Sequence, residues 1–207
     1  MPTASIMACL RRLPEELAAM ATGGWQTTIG TELEGKRLGI VGLGHIGRRV
    51  ARIARVFGMD VVAWSQNLTE ESAAAADARR VSKQELFSNS DVITVHLKLG
   101  ERTRHLITAH ELALMRPRAY LINTSRGPIV DETALLHAVR KGQIAGAALD
   151  VYDQEPLPHD HPFRRTPGIL ATGHVGYLTD GNYRIYYEDA VEDIGAYLTG
   201  TPIRRIN

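Results

Sequence analysis

Short, nearly continuous apolar runs recur along this chain. They lie at Lys36–Val41, Met59–Trp64, Asp91–Leu97, Ala119–Asn123, Ile144–Leu149 and Ile169–Ala171, and each predicts a buried strand. Val81 closes a further short one. Amphipathic stretches stand between them. Ile46, Val50, Ile53, Ala54 and Phe57 fall at i, i+4, i+7, i+8 and i+11, which predicts a helix with one apolar face. Ser82 is placed to cap a helix through Phe87, and Thr108–Met115 reads as a helix halted before Pro117. Asp131 caps a helix carrying Leu135, Leu136 and Val139, which Gly142 ends. Thr179–Leu198 is helical again. At the front, Ile6, Met7, Leu10, Leu13, Leu17 and Met20 give residues 3–22 a helical spacing that Pro14 kinks or splits and Gly23-Gly24 ends. Nothing ahead of this helix covers its apolar face, so it needs a partner surface elsewhere. Strands alternating with helices at this spacing predict an α/β fold, a doubly wound parallel sheet with helical appendages at both ends.

The first strand runs into Gly42, Gly44 and Gly47, spaced G-x-G-x-x-G, and a helix opens at once. In that context Gly42 allows a tight turn, Gly44 lets a backbone approach a pyrophosphate, and Gly47 lets helix and strand pack closely. The free N–H groups and positive end of the helix then face the phosphates. This is the pattern of a Rossmann-like dinucleotide site. The expected division is a helix over 1–24, a dinucleotide-binding domain over 25–178, and a helix and tail over 179–207. A carboxylate usually ends the second strand and binds the adenosine ribose. Here that place holds Ser65-Gln66-Asn67, while Asp60 sits at the start of the strand, on the wrong edge. The choice between NAD and NADP is therefore open. Arg79 and Arg80 are available to a phosphate but read as surface charges.

Composition narrows the partners. The 24 basic and 23 acidic residues cancel, so no nucleic acid is implied. No apolar run reaches membrane-spanning length. Arg11 and Arg12 interrupt the N-terminal apolar residues, and Glu15 and Glu16 are foreign to a transit peptide. With Cys9 the lone cysteine, the expectation is a cytoplasmic protein in a reducing compartment. No histidine, cysteine and carboxylate cluster suggests a metal.

Ligands of such sheets bind beyond the carboxyl ends of the strands. Three polar segments follow strands: Thr124-Ser125-Arg126-Gly127-Pro128, Asp150-Val151-Tyr152-Asp153-Gln154-Glu155-Pro156, and Thr172-Gly173-His174-Val175-Gly176. With Asn123, Ile129-Val130-Asp131, Ala147-Ala148-Leu149 and Tyr177, and with the glycine triplet in the same order, they resemble the D-isomer-specific 2-hydroxyacid dehydrogenases over nearly the whole chain. The resemblance implies hydride transfer between NAD or NADP and the C2 carbon of a small 2-keto or 2-hydroxy acid.

Residue by residue, the resemblance makes Arg126 the substrate arginine, whose planar guanidinium suits a carboxylate. His174 becomes the acid/base and Glu155 the carboxylate that orients it. Asp150 matches the residue near the nicotinamide carboxamide. His45 and Ile46 match positions whose backbone faces the pyrophosphate. Leu97, Thr124 and Ser125 match the pocket wall, and Arg126, His174 and Gly176 share the cofactor side, with Ser65 at the ribose. The remaining histidines lack such support, and His159 and His161 read as loop residues between prolines. Two positions depart from the family. Gly173 stands where Pro usually precedes the histidine, which loosens the backbone there, and Lys98 replaces a proline near the cofactor pocket. The family also carries a substrate domain ahead of this region, which these residues do not include. Both terminal helices would pack toward that domain. The expectation is thus a dehydrogenase completed by further chain. The alternative is a weak or inactive NAD(P)-binding dimeric module. The family's use of this domain for association implies a homodimer.

Overall fold

The computed structural model describes residues 1–205. It forms two compact units, Met1–His174 and Val175–Asn207. In the first, seven strands form one parallel sheet: β1 (Arg37–Val41), β2 (Asp60–Trp64), β3 (Arg79–Arg80), β4 (Val92–Val95), β5 (Tyr120–Asn123), β6 (Gly146–Leu149) and β7 (Ile169–Ala171). Their order is β3-β2-β1-β4-β5-β6-β7. The chain winds outward from β1 through β2 to β3, then restarts on the other side of β1 with β4. The crevice at that reversal is where ligands of open α/β sheets bind.

Successive residues of each strand face opposite sides, and both sides are covered. On one side Leu38, Ile40, Val61, Ala63, Val92, Ile122 and Ala148 meet α1 (Pro2–Leu10) and α3 (His45–Val56). On the other, Val41, Val62, Ile93, Val95, Leu121 and Ala147 meet α5 (Lys83–Asn89), α6 (Ala109–Leu114) and α7 (Glu132–Arg140). Side chains start most of these helices. Ser82 accepts from the Glu85 N–H, Asp131 from the Ala134 N–H, and Thr108 forms a reciprocal capping box with Glu111. The short α4 (Glu70–Ala74), capped by Thr69, has no counterpart in the periodicity. Its alanines carry no apolar stripe.

Two sequence expectations change. The N-terminal helix does split, at Arg12, which takes a left-handed φ of 52°, with Pro14 in the first turn of α2 (Leu13–Ala21). The partner of α1, however, is the chain's own sheet: Ile6, Cys9 and Leu10 are buried against it, and burial pushes the Cys9 thiol up to about 12. Of the two N-terminal halves, α2 is the one left with open apolar side chains. The apolar face of α3 is also different. Gly47, Val50, Ala51 and Ala54 are buried, whereas Ile46, Ile53 and Phe57 are 57%, 40% and 39% exposed. A Cβ on Gly47 would overlap the Gly42 carbonyl oxygen, so the smallest residues mark where helix and turn touch.

The second unit is α8 (Asp180–Leu198) with its flanks. Thr179 caps it by accepting from the Asn182 N–H, and Arg204 bonds Asp189, Glu192 and Asp193 along it. Tyr183 and Tyr187, one turn apart, lie 6.0 Å between ring centroids. Among the described residues no helix is long and apolar enough to cross a membrane.

Candidate functional site

Strand register sets out the site. Val41 pairs with Trp64 and with Val95, Val95 with Asn123, Asn123 with Leu149, and Leu149 with Ala171. These residues end their strands in one row. The next residues, Ser65, Gly42, His96, Thr124, Asp150 and Thr172, therefore line a single edge. Backbone bonds continue past the ladder: the Gly42 N–H donates to the Trp64 carbonyl, the Asp150 N–H to that of Asn123, and the Thr172 N–H to that of Leu149.

At the reversal point Gly42 has φ +103°, and a Cβ there would lie 2.7 Å from the His96 carbonyl oxygen, so no larger residue fits. Gly44 begins α3 with nothing within 4 Å of its missing side chain. Thr69, Ser82, Thr108 and Asp131 cap their helices through side chains, but α3 has no side-chain cap. Its first N–H groups, at His45, Ile46 and Gly47, take no side-chain cap, which fits a dinucleotide's pyrophosphate. His96 is the one histidine beneath this turn. Burial lowers its pKa to about 4, so its imidazole is neutral, 3.0 Å from the Thr94 hydroxyl.

Beside the turn, a cavity of about 240 Å³ is lined by Ser65, Gln66, Asn67, Leu97, Arg102 and Thr103, among others. Asp60 stands at the far end of β2 and accepts from the Arg37 guanidinium at 2.7 Å, so it belongs to the other edge. Arg79 and Arg80 are engaged by Glu85 and Glu70, each at 3.1 Å.

The next loop is shaped by a residue whose part was not legible in the sequence. The buried Asn123 donates to the Arg126 carbonyl at 2.9 Å and accepts from the Ser125 N–H at 3.1 Å. The Ser125 hydroxyl donates to the Val95 carbonyl. This folds Thr124–Arg126 back onto β4 and leaves the Arg126 guanidinium exposed, with one N–H on the Ser125 carbonyl.

The third loop carries a carboxylate that meets an imidazole. Asp150 is 2% exposed and accepts from the Thr172 hydroxyl at 2.5 Å. The Tyr152 hydroxyl donates to the Thr172 carbonyl at 2.7 Å, joining the ends of β6 and β7, and burial pushes it up to about 12. Glu155 accepts the Tyr152 N–H on one oxygen at 2.9 Å and contacts His174 Nδ1 with the other at 2.6 Å. A carboxylate can only accept, so Nδ1 carries the proton and Nε2 is left for a reactant. The departure at Gly173 shows up one residue later: His174 itself has φ +56°, a conformation costing roughly 1–3 kcal/mol for a residue with a side chain. The Glu155 bond holds it there. Glu132, at the start of α7, accepts the Asp153 N–H at 2.9 Å and lies 3.6 Å from His161 Nε2. Burial raises the pKa of Glu132.

The two loops meet at Gly127, where a Cβ would overlap the Tyr152 carbonyl group. One edge thus gathers Gly42, Gly44, His45, Ile46, Gly47, Ser65, Leu97, Thr124, Ser125, Arg126, Asp150, Glu155 and His174. Gly176 falls in the second unit. Among the described residues no grouping of histidine, cysteine and carboxylates is placed to hold a metal ion. An exposed guanidinium suits a carboxylate, an oriented imidazole can exchange a proton, and an uncapped helix end suits a phosphate.

Comparison with known proteins agrees with this geometry. The family model of the D-isomer specific 2-hydroxyacid dehydrogenase NAD binding domain matches residues 3–176. A glyoxylate reductase of Aeropyrum pernix is 38% identical over 206 residues, covering 95% of this chain and 62% of that protein. A D-3-phosphoglycerate dehydrogenase of Synechocystis is 39% identical over 203 residues, covering 97% of this chain and 36% of that one. The structure of a D-lactate dehydrogenase with NAD+ from Lactobacillus jensenii superposes with a TM-score of 0.85 at 27% identity, covering all of this chain and 67% of that one. The chain thus spans 36–62% of the length of these two curated relatives.

Proposed function

The chain belongs to the D-isomer-specific 2-hydroxyacid dehydrogenase family as its NAD-binding domain, and from that premise we propose that its strand edge transfers a hydride between NAD(P)H and a small 2-keto or 2-hydroxy acid. The observation that carries this reading is the 2.6 Å contact of Glu155 with His174 Nδ1, on the same edge as the Arg126 loop and the uncapped α3. The dinucleotide, when bound, supplies or accepts the hydride. Arg126 holds the substrate carboxylate through its planar donors and draws electron density from the adjacent carbonyl. His174 gives its Nε2 proton to the carbonyl oxygen in reduction and takes it back in oxidation. Glu155 keeps the proton on Nδ1 and stabilises the imidazolium. Asp150 serves the carboxamide end of the cofactor.

The test is turnover of glyoxylate, pyruvate and hydroxypyruvate with NADH and with NADPH, for this chain and for its His174→Ala variant. Turnover abolished by His174→Ala supports the mechanism. Turnover indifferent to that change refutes it, and nucleotide affinity without turnover makes this chain the binding module alone.

The apolar side chains left open along α2 and the following loop support a homodimer: Leu17, Met20, Trp25 and Ile29 are 70%, 59%, 73% and 92% exposed. Sedimentation of a stable monomer at micromolar concentration refutes that state. The single, buried Cys9 supports a cytoplasmic, reducing location. Visible secretion of the tagged protein refutes it.

A further inference from the structure

The dinucleotide site leaves one choice open, and the cavity beside β2 bears on it. The adenosine half of a dinucleotide lies over the end of the second strand, with its phosphates at the helix that follows the first. In this chain that place is the cavity of about 240 Å³ formed by Ser65, Gln66, Asn67 and Leu97, with Arg102 and Thr103 closing it from the loop after β4. A site selective for the unphosphorylated ribose presents a carboxylate, which accepts from the 2′ and 3′ hydroxyls and repels a 2′-phosphate. No carboxylate lines this cavity. Ser65 supplies a hydroxyl, Gln66 and Asn67 supply amide donors, and Arg102 supplies a cation.

Arg102 is the arginine that lines this cavity. Its loop is fixed: the Thr103 hydroxyl donates to the Lys98 carbonyl at 2.7 Å and accepts from the Gly100 N–H at 2.9 Å. Arg79 and Arg80, at the far side of β2, are each tied to a glutamate at 3.1 Å. Arg48 on α3 donates to Ser72 at 2.6 Å. No ion pair or side-chain hydrogen bond engages Arg102 within the described residues. Its five donors are therefore available to a phosphate monoester, the group guanidinium forks bind best.

We propose that this chain selects NADP(H) over NAD(H), with Arg102 as the residue that reads the 2′-phosphate and Ser65 as the neutral neighbour that admits it. The proposal rests on the dinucleotide site described above and extends it from a class of cofactor to one member.

Calorimetric titration of NADPH and NADH into the chain tests it, using the wild type, Arg102→Gln and Ser65→Asp, with thermal melting of each variant as the check on folding. The wild type binds NADPH at least about tenfold tighter than NADH, since charge-assisted bonds to a phosphate supply that much discrimination. Arg102→Gln lowers the NADPH/NADH affinity ratio about tenfold or more. Ser65→Asp inverts it through repulsion of the 2′-phosphate, a change no loss of fold can mimic. Equal affinities in the wild type, tighter NADH, or a ratio untouched by Arg102→Gln overturns the assignment. Binding of neither nucleotide overturns the site itself, and this inference with it.

Discussion

Gly127 is the point at which the Arg126 loop and the Glu155 loop touch, and Gly127→Ala measures what that contact is worth. A Cβ built there overlaps the Tyr152 carbonyl carbon and oxygen and lies 2.5 Å from the Asp153 nitrogen. All three are backbone atoms, so no side chain can swing aside. Tyr152 is held from both ends, by its N–H on Glu155 and its hydroxyl on the Thr172 carbonyl. The Asp153 N–H is held by Glu132. The extra methyl must therefore displace a bonded loop. Overpacking costs about 1–3 kcal/mol, and a contact with backbone on both sides belongs at the upper end. About 3 kcal/mol lowers Tm by roughly 6–12 °C in a chain of this size. The displaced segment leads to Glu155, so under the proposed function kcat/KM for the keto acid falls while NADPH affinity, set at the Gly42 turn and the Ser65–Arg102 cavity, is retained. Differential scanning calorimetry reads the Tm, nucleotide titration the affinity and steady-state kinetics kcat/KM. Gly100→Ala is the control, because nothing lies within 4 Å of the Cβ added at Gly100. A Gly127→Ala chain that melts within about 1 °C of wild type refutes the reasoning, because an overlap of this kind cannot be absorbed without cost.

Two further outcomes are expected. Glu155→Gln leaves an oxygen for the Tyr152 N–H but turns an N–H₂ group toward His174 Nδ1, selecting the wrong tautomer. Steady-state kinetics then show kcat/KM reduced about 10–100-fold or more, with nucleotide affinity unchanged, and undiminished turnover would refute Glu155 as the orienting group. His96 gives an acid-lability. Its folded pKa of about 4 lies below the ordinary 6.5, so the unfolded chain binds the proton first and stability falls as pH drops from about 6.5 to about 4. The fall attributable to this group is about 3 kcal/mol. Urea midpoints across that range should drop in the wild type and stay flatter in His96→Asn, and parallel curves would refute the assignment.

How far the sequence could be read depended on the kind of contact involved. The strand ends were legible because each apolar run stops at a polar segment, and a parallel sheet in register brings those segments to one edge. The glycine triplet was legible for a similar reason, since Gly42 is forced by its φ and Gly47 by the Gly42 carbonyl. The face of α3 was misjudged because apolar periodicity counts large side chains, whereas close packing of a helix on a turn selects glycine and alanine. The cover of α1 was missed because a helix ahead of the first strand gives no sign of which sheet face it will lie on. The roles of Asn123, Tyr152, Glu132 and Thr172 were not legible either. Tyr152, Glu132 and Thr172 bond groups on other segments, which depends on a register that a single sequence does not state, and Asn123 bonds the turn after its own strand, whose shape the sequence does not state either.

The two halves of the edge are consequently built from different materials. The cofactor half is mostly backbone: the Gly42 turn, the open Gly44 and the uncapped end of α3. Around the Gly42 turn, side-chain substitutions have little to remove unless they insert atoms. The substrate half is a sequence of side-chain bonds, from Glu132 to Asp153, from Glu155 to Tyr152 and to His174, and from Asn123 to Arg126. Each bond fixes a loop rather than an element of the sheet. His174, held at φ +56°, depends on that series most directly, because its conformation is unfavourable without the Glu155 contact. Under the proposed function, nucleotide affinity and hydride transfer are then separable: losses along the Glu132–Glu155 series should abolish the second while sparing the first.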